Sequence, residues 1–329
     1  MRSIDPPDET YAERARARQR ELTKPPGSLG QLEFIAVRLA AIQRQDRPAS
    51  FGRRVVVFAA SHGVVAEGVS AYPAEVTVQM VKNFARGGAA INALAQAAGA
   101  DVVVVDAGVE RGTRNFAREP AMAEEEMRAA MELGREEARR AKASGIALLG
   151  TGEMGIGNTT AASAITAALT GVSPSRVTGP GTGLDEAGCR RKIEVVERAL
   201  ALHRPSPAEP LELLRTVGGF EIAALAGLSL EAAGLRMAVV VDGFIASAAF
   251  AIAAALDPAV LEYAFFSHLS AEPGHRALLR FLRVEPLLYL DLRLGEGTGA
   301  ARAMPVLGAA AAAHNEMATF ADAGVSGKS

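Results

Sequence analysis

Apolar positions along the chain follow two alternating rhythms. Short β-branched runs at residues 53–60 (RRVVVFAA), 101–108 (DVVVVDAG), 145–150 (GIALLG), 237–243 (MAVVVDG) and 286–294 (PLLYLDLRL) read as strands. Longer alanine-rich stretches with helical spacing lie between them. Strands alternating with helices predict an α/β fold: a mostly parallel, Rossmann-like sheet covered by helices on both faces. Ligands of such sheets bind beyond the carboxyl ends of the strands. There the sequence places its glycines and polar groups: ASHGV, DAGV, GTGEMGIGNTT, VDGF and GEGTG.

The two ends of the chain lack strand signals. Residues 11–45 predict two helices joined at KPPGSLG, with Leu32, Ile35, Ala36, Leu39 and Ile42 at helical spacing. The alanine-rich end, GAAAAAHNEMATFADAGV, predicts a closing helix that pairs with them in a small helical subdomain. The expected division is residues 1–48 as the N-terminal helical part, 49–305 as the large α/β domain and 306–329 as the returning helix. Residues 123–145 alternate in charge sign and predict a solvated surface helix. RPSPAEP, near Arg204, reads as a connector. The apolar stretch 237–256 is long enough to span a bilayer, but Asp242-Gly243 breaks it, so it reads as a buried strand followed by a buried helix.

Composition narrows the function. A net charge of −2 supplies no field of one sign for nucleic acid or an anionic membrane. With no Trp and four Tyr there is no aromatic-lined basic stripe for single strands. The lone Cys189 excludes an intrachain disulfide and fits a reducing cytoplasm; its helical context, GCRRKIEVVERAL, reads as a structural thiol. The charged N-terminal stretch has no apolar core and does not read as a signal peptide.

The loop after the third run carries the most chemistry. Gly150, Gly152 and Gly155 match G-x-G-x-x-G, a dinucleotide fingerprint. Two features oppose that reading. Glu153 stands inside the motif, and TGVSPSR occupies the place, about twenty residues on, where a ribose-binding acid belongs. Asn158, Thr159 and Thr160 mark the helix start instead, and the N–H groups from Gly155 and Gly157 onward suit one phosphate; a plain turn with a capped helix is the alternative. In TGPGTGLDEAGCRRK, Lys192 lies two turns into a helix and could neutralise a phosphate, or it is a surface lysine. Ser270, before Pro273-Gly274, makes another anion cradle or a capping turn. Ser70, Tyr72 and Gln79 offer hydroxyl, aromatic and amide groups to a flat heterocycle.

His62 and His268 lack metal-ligand spacing and no cysteine cluster exists, so no metal site is expected. Asp106 and Asp242, each closing a predicted strand, are candidates for ribose hydroxyls. Glu296, between glycines in LRLGEGTGAA, sits at a helix start, where anions usually bind. It either caps the helix or takes a proton from a ligand.

KPPGSLGQLE, GVSAYPAEVT, NFARGGAAIN, GEMGIGNTTAASA, GPGTGLD, VGGFEIAALAG, VVDGFI, SHLSAEPGH and LRLGEGTGAA, in this order, resemble the motifs of the nicotinate-nucleotide:dimethylbenzimidazole phosphoribosyltransferase family. The likeness runs from about Lys24 to Leu307. It implies transfer of the 5-phosphoribosyl group from nicotinate mononucleotide to 5,6-dimethylbenzimidazole, giving α-ribazole 5′-phosphate and nicotinate, in assembly of the cobalamin nucleotide loop. It also implies a large α/β domain, a small helical domain from both chain ends, a homodimer, and no metal or other cofactor. Carried over by motif, Glu296 matches the general base and Glu153 a second acid. Lys192 and the backbone from Gly155 to Thr160 match phosphate contacts, joined by Ser270. Ser70, Tyr72 and Gln79 fall where the benzimidazole is held. Two other readings stay open: a nicotinamide-dinucleotide oxidoreductase, from the glycine match, and a non-enzymatic nucleotide-binding protein of the same fold.

Overall fold

The valine-rich runs that predict strands pair side by side in a computed structural model, which describes residues 3–326. Strands β1 (Arg53–Ala60), β2 (Asp101–Gly108), β3 (Leu148–Met154), β4 (Ala238–Val241) and β5 (Ala264–Phe266) form one parallel sheet in the order β2-β1-β3-β4-β5. β1, β3 and β4 are buried almost throughout, whereas the edge strand β2 stays half-exposed. The chain leaves β1 towards β2 on one side and returns to β3 on the other. This reversal opens a crevice at the carboxyl ends of β1 and β3, where Phe58 pairs with Glu153.

Before the sheet come α1 (Glu9–Glu21) and α2 (Gln31–Gln43), and between β1 and β2 lie α3 (Val76–Ala85) and α4 (Ala90–Ala97). α5 (Glu124–Ala143) leads to β3. Then come α6 (Asn158–Thr170), the single turn α7 (Pro174–Val177), α8 (Glu186–His203), α9 (Pro210–Val217) and α10 (Phe220–Gly234). α11 (Phe244–Leu256) follows β4, and α12 (Pro273–Leu282), α13 (Thr298–Glu316) and α14 (Phe320–Ala323) follow β5. α10 is apolar nearly all round because it is packed between the sheet and α5. Stretch 237–256 is a buried strand and helix, as expected, and no helix among the described residues is long and apolar enough to cross a membrane.

The structure departs from the sequence reading in four places. The run 286–294 is extended but is no strand. Pro286 lacks an N–H, and Asp291 turns to φ +51, so only scattered bonds form, such as Leu287 N to Phe266 O at 2.9 Å. The fifth strand is the three-residue Ala264–Phe266 instead. β3 does not stop at Leu149 but runs to Met154, so Gly150, Gly152 and Glu153 are strand residues. α5 is solvated on one face only. Its other face buries Met127, Met131 and Ala138 against α10, where Cβ atoms on Gly134 and Gly227 would meet backbone oxygens. The closing helix begins earlier, at Thr298, and breaks after Glu316, because Thr319 caps a new turn by accepting from Asp322 N.

The far end of α13 is gripped by α1 and its surroundings. Arg18 Nε donates to His314 O at 2.8 Å, Gln19 Nε2 meets His314 Nδ1 at 2.9 Å, and His314 Nε2 meets Asp46 O at 3.0 Å.

Candidate active site

At the start of α13 the chain passes through Gly295, Glu296 and Gly297 with φ of +84°, +62° and +86°. For a residue with a Cβ this left-handed backbone costs of order 1–3 kcal/mol, so the neighbours must hold it. They do. Glu296 N donates to Glu153 O (3.2 Å), Gly297 N to Asp242 Oδ2 (3.1 Å) and Ala300 N to Asp242 Oδ1 (3.0 Å). Gly150 and Gly152 let this turn and helix lie against β3. A Cβ on Gly152 would stand 2.8 Å from Glu296 O, and one on Gly150 2.8 Å from Met304 Cε. The first two glycines of the fingerprint match therefore receive a helix and form no pyrophosphate turn.

Glu296 is 5% exposed. Its Oε2 accepts from Ile91 N, at the start of α4, at 3.2 Å, while its Oε1 takes no hydrogen bond from the described residues. Burial raises its pKa, and the Ile91 N–H pulls it part of the way back. Beside it, Glu153 Oε2 accepts from Asn158 Nδ2, and a Cβ on Gly295 would collide with Glu153 Oε1. Burial, then the charges of Asp242, Glu221 and Glu296, push Glu153 up to about 8, against the Asn158 amide. It is thus mainly protonated at neutral pH. Burial pushes Asp242 up to about 6 despite several backbone N–H groups that favour its charge.

Asn158 opens α6, and the next residue leads to a group of opposite sign. Lys192, on α8, is fully buried; its Nζ donates to Thr159 Oγ1 (2.8 Å) and Gly179 O (3.2 Å). Both partners are neutral, and a third ammonium N–H is left over. Burial lowers its pKa to about 8, with Glu272 and Cys189 acting in the opposite direction. Thr160 Oγ1, Thr178 Oγ1 and Glu272 Oε2, all buried, lack a partner around this point. A continuous path therefore runs from Glu296 through Glu153, Asn158 and Thr159 to Lys192. Gly155 and Gly157 form the turn between β3 and α6; Gly157, at φ +97, would bring a Cβ within 2.7 Å of Val65 Cγ2.

The other expected residues are placed less uniformly. Ser270 Oγ accepts from Glu272 N (3.3 Å), and Glu272 Oε1 accepts from Gly181 N (3.1 Å), so Ser270 supports the same loops. Ser70 Oγ lies 3.0 Å from Thr182 Oγ1 and accepts from Tyr72 N at 3.1 Å. Tyr72 and Gln79 are exposed. The two aspartates offered for ribose hydroxyls are engaged otherwise. Asp106 Oδ1 accepts from Gly108 N and Val109 N at 2.8 and 2.7 Å, and both oxygens of Asp242 hold the start of α13. Each carboxylate shapes backbone: Asp242 with both oxygens, Asp106 with Oδ1 alone.

Sequence reasoning missed Ile91, Thr182, Glu272 and the buried pair His62–Glu221, whose Nε2–Oε1 distance is 2.6 Å. Only the paired glycines before Ile91 and the GPGTG string around Thr182 hinted at tight turns. Burial lowers His268 to about 4 and His275 to about 3, so both act as neutral imidazoles. Among the described residues no group of three or more His, Cys, Asp or Glu could hold a metal ion. A groove of about 1120 Å³ lies elsewhere, between α1, α2 and the β5 region, lined by Phe34, Arg38, Phe265 and Leu282. It contains none of Glu153, Lys192 or Glu296.

Comparison with known proteins agrees with this architecture. Residues 4–325 match a family model described as phosphoribosyltransferase. The nicotinate-nucleotide–dimethylbenzimidazole phosphoribosyltransferase of Chloroflexus aggregans is 52% identical, over 99% of this chain and 96% of its own. That of Pseudomonas putida KT2440 is 50% identical, over 98% and 96%. The crystal structure of CobT from Thermus thermophilus superposes with a TM-score of 0.93 at 52% identity, covering 97% of this chain and 100% of that one.

Proposed function

The chain belongs to the nicotinate-nucleotide–dimethylbenzimidazole phosphoribosyltransferase family, and from that premise we propose that it moves the 5-phosphoribosyl group of nicotinate mononucleotide to 5,6-dimethylbenzimidazole. The products are α-ribazole 5′-phosphate and nicotinate. One observation carries the assignment of roles: a buried ammonium with only neutral partners and a buried carboxylate with a free oxygen stand along one path at the carboxyl end of the sheet.

Lys192, with Thr159 and the N–H groups opening α6, seats the donor phosphate. Ser270 joins them through the Glu272–Gly181 contact. One benzimidazole nitrogen attacks C1′ of the ribose. The C1′–nicotinate bond breaks with inversion, and its electron pair leaves on the nicotinate ring nitrogen, whose positive charge is thereby neutralised. The attacking ring becomes cationic, and the hydrogen on its other nitrogen grows acidic. Glu296 Oε1 takes that proton, a step worth about 10²–10⁴-fold. Glu153, protonated at neutral pH, keeps the Glu296 side of the crevice from carrying a second full charge.

The acceptor ring enters beside Gly295 and Gly297, with the loop at Ser70 and Tyr72 and the start of α3 at Gln79 as its outer wall. The dinucleotide oxidoreductase reading loses its basis, since Gly150 and Gly152 are strand residues under α13. The chain works as a homodimer, burying exposed Phe34, Phe281, Tyr289 and Leu294; sedimentation at micromolar concentration tests this. Its helical unit joins residues 1–48 to 306–329, of which 1–2 and 327–329 lie outside the described residues, and its site of action is the cytoplasm.

The test of function is a product assay. Nicotinate mononucleotide is mixed with 5,6-dimethylbenzimidazole and a panel of other flat bases, nicotinate release is followed, and the anomer is read by NMR. Binding without nicotinate release would instead identify a non-enzymatic nucleotide-binding protein.

A further inference from the structure

The loop from Gly179 to Thr182 links Lys192 of α8, Glu272, Arg293 and the loop at Ser70. Gly179 O accepts from Lys192 Nζ, Gly181 N donates to Glu272 Oε1, and Gly181 O accepts from Arg293 Nη1 at 3.2 Å. Gly181, at φ +54, is pressed against the phosphate seat: a Cβ there would lie 2.9 Å from Thr159 Oγ1 and 3.0 Å from Lys192 Nζ. The next residue faces the other substrate. Thr182 Oγ1 accepts from Ala71 N at 3.1 Å and lies 3.0 Å from Ser70 Oγ, which in turn accepts from Tyr72 N. The Ser70 hydroxyl is therefore committed to shaping its own loop, and that shape depends on Thr182.

We propose that Thr182 is a positioning residue that couples the two substrates, transmitting occupancy of the phosphate seat to the acceptor loop at Ser70–Tyr72. The proposal rests on the phosphoribosyl-transfer reading above. A phosphate on Lys192 and Thr159 fixes the backbone at Gly179 and Gly181. Thr182 is then held where it fastens Ala71 and Ser70. The conformational entropy of ordering both loops is lost once, with the donor, so the acceptor binds to a loop already set. By linkage, the acceptor tightens donor binding by the same factor.

Ribose 5-phosphate tests this, since it carries the phosphate and ribose but no leaving group. The dissociation constant of 5,6-dimethylbenzimidazole is measured by calorimetry with and without saturating ribose 5-phosphate, for the wild type, Thr182→Val and Thr182→Ser. In the wild type the acceptor should bind at least about 5-fold tighter with the sugar phosphate present, the lower end of usual coupling. Thr182→Val should bring that ratio to within about twofold while leaving the Kd of ribose 5-phosphate alone unchanged, and Thr182→Ser should restore it. Thr182 is half-exposed, so the isosteric Val leaves the fold intact. No coupling in the wild type, or full coupling in Thr182→Val, overturns the proposal, as does equal loss of both affinities. Nicotinate release by the wild type from the natural donor is followed alongside. Its absence overturns the reaction reading, whereas turnover without coupling overturns only the role of Thr182.

Discussion

The two sides of the crevice solve opposite electrostatic problems. On one, a single ammonium, Lys192, donates to two neutral oxygens and is pushed down to about 8 by burial, against the pull of Glu272. On the other, Glu153, Asp242 and Glu296 are crowded together and pushed up. The cation side has no anion bonded to its ammonium, a place that a phosphate takes. The carboxylate side has more acid than it can ionise, so it settles with one oxygen free to accept a proton. The difference teaches that burial alone does not define a role. A desolvated charge becomes a seat where the missing partner is a ligand, and a base where the proton has another way in.

The comparison breaks most visibly at Glu296. Glu296→Gln should lower kcat by about 10²–10⁴-fold with donor affinity unchanged, as measured by steady-state kinetics and calorimetry. An unchanged kcat removes the base from the carboxylate side. Next comes the opposite wall. Lys192→Met keeps the bulk without the charge and should weaken nicotinate mononucleotide by about 10–100-fold, the value of a charged hydrogen bond. Dimethylbenzimidazole binding to the free enzyme should move less than about twofold, as befits a group outside its site. Equal losses for both ligands would erase the distinction between the two sides.

A smaller change sharpens the carboxylate side itself. Asp242→Asn replaces one acceptor by an amide that faces backbone N–H groups. The loss of one such bond, about 1–3 kcal/mol, should loosen the Glu296 turn, lowering kcat about tenfold and the Tm by a few degrees with little change in Kd. Unaltered kcat would show that the turn needs no clamp.

The smallest effect is on pH and stability. Glu153 is raised from 4.5 to about 8, so the folded protein holds a proton that the unfolded chain releases in that window. Its contribution is full below 4.5 and is lost as pH rises through about 8. Asp242 completes its change near 6, and His268 and His275 act below 6.5. Lys192 has the opposite sign and adds stability between about 8 and 10.5. Thermal melts between pH 6.5 and 8 should therefore show the wild-type Tm falling by a few degrees and Glu153→Gln nearly flat. Parallel slopes would mean that Glu153 ionises normally.

Much of the fold was legible because β1, β2 and β4 announce themselves by runs of valine and β3 begins in an apolar run. β5 was not, since three residues carry no period, while the alternating leucines at 286–294 imitate a strand that Pro286 and Asp291 prevent. In the site, the helix start at Asn158 was readable from local capping residues. Gly150 and Gly152 were misread as loop because their reason lies in α13, far along the chain. The same distance hid Asp242's grip on Gly297 and the Ile91 contact to Glu296. Local strings report turns; which helix a turn must receive is a long-range fact.

α13 has 19 residues and, at 1.5 Å each, is a rod about 28 Å long. Glu296 precedes one end, and Arg18, Gln19 and Asp46 hold His314 near the other. A rod fixed at its tail works as a lever. Substitutions at Gln19 or His314, far from any substrate, would tilt the tip that carries the proton acceptor, and a distant surface helix thereby acquires leverage over the rate.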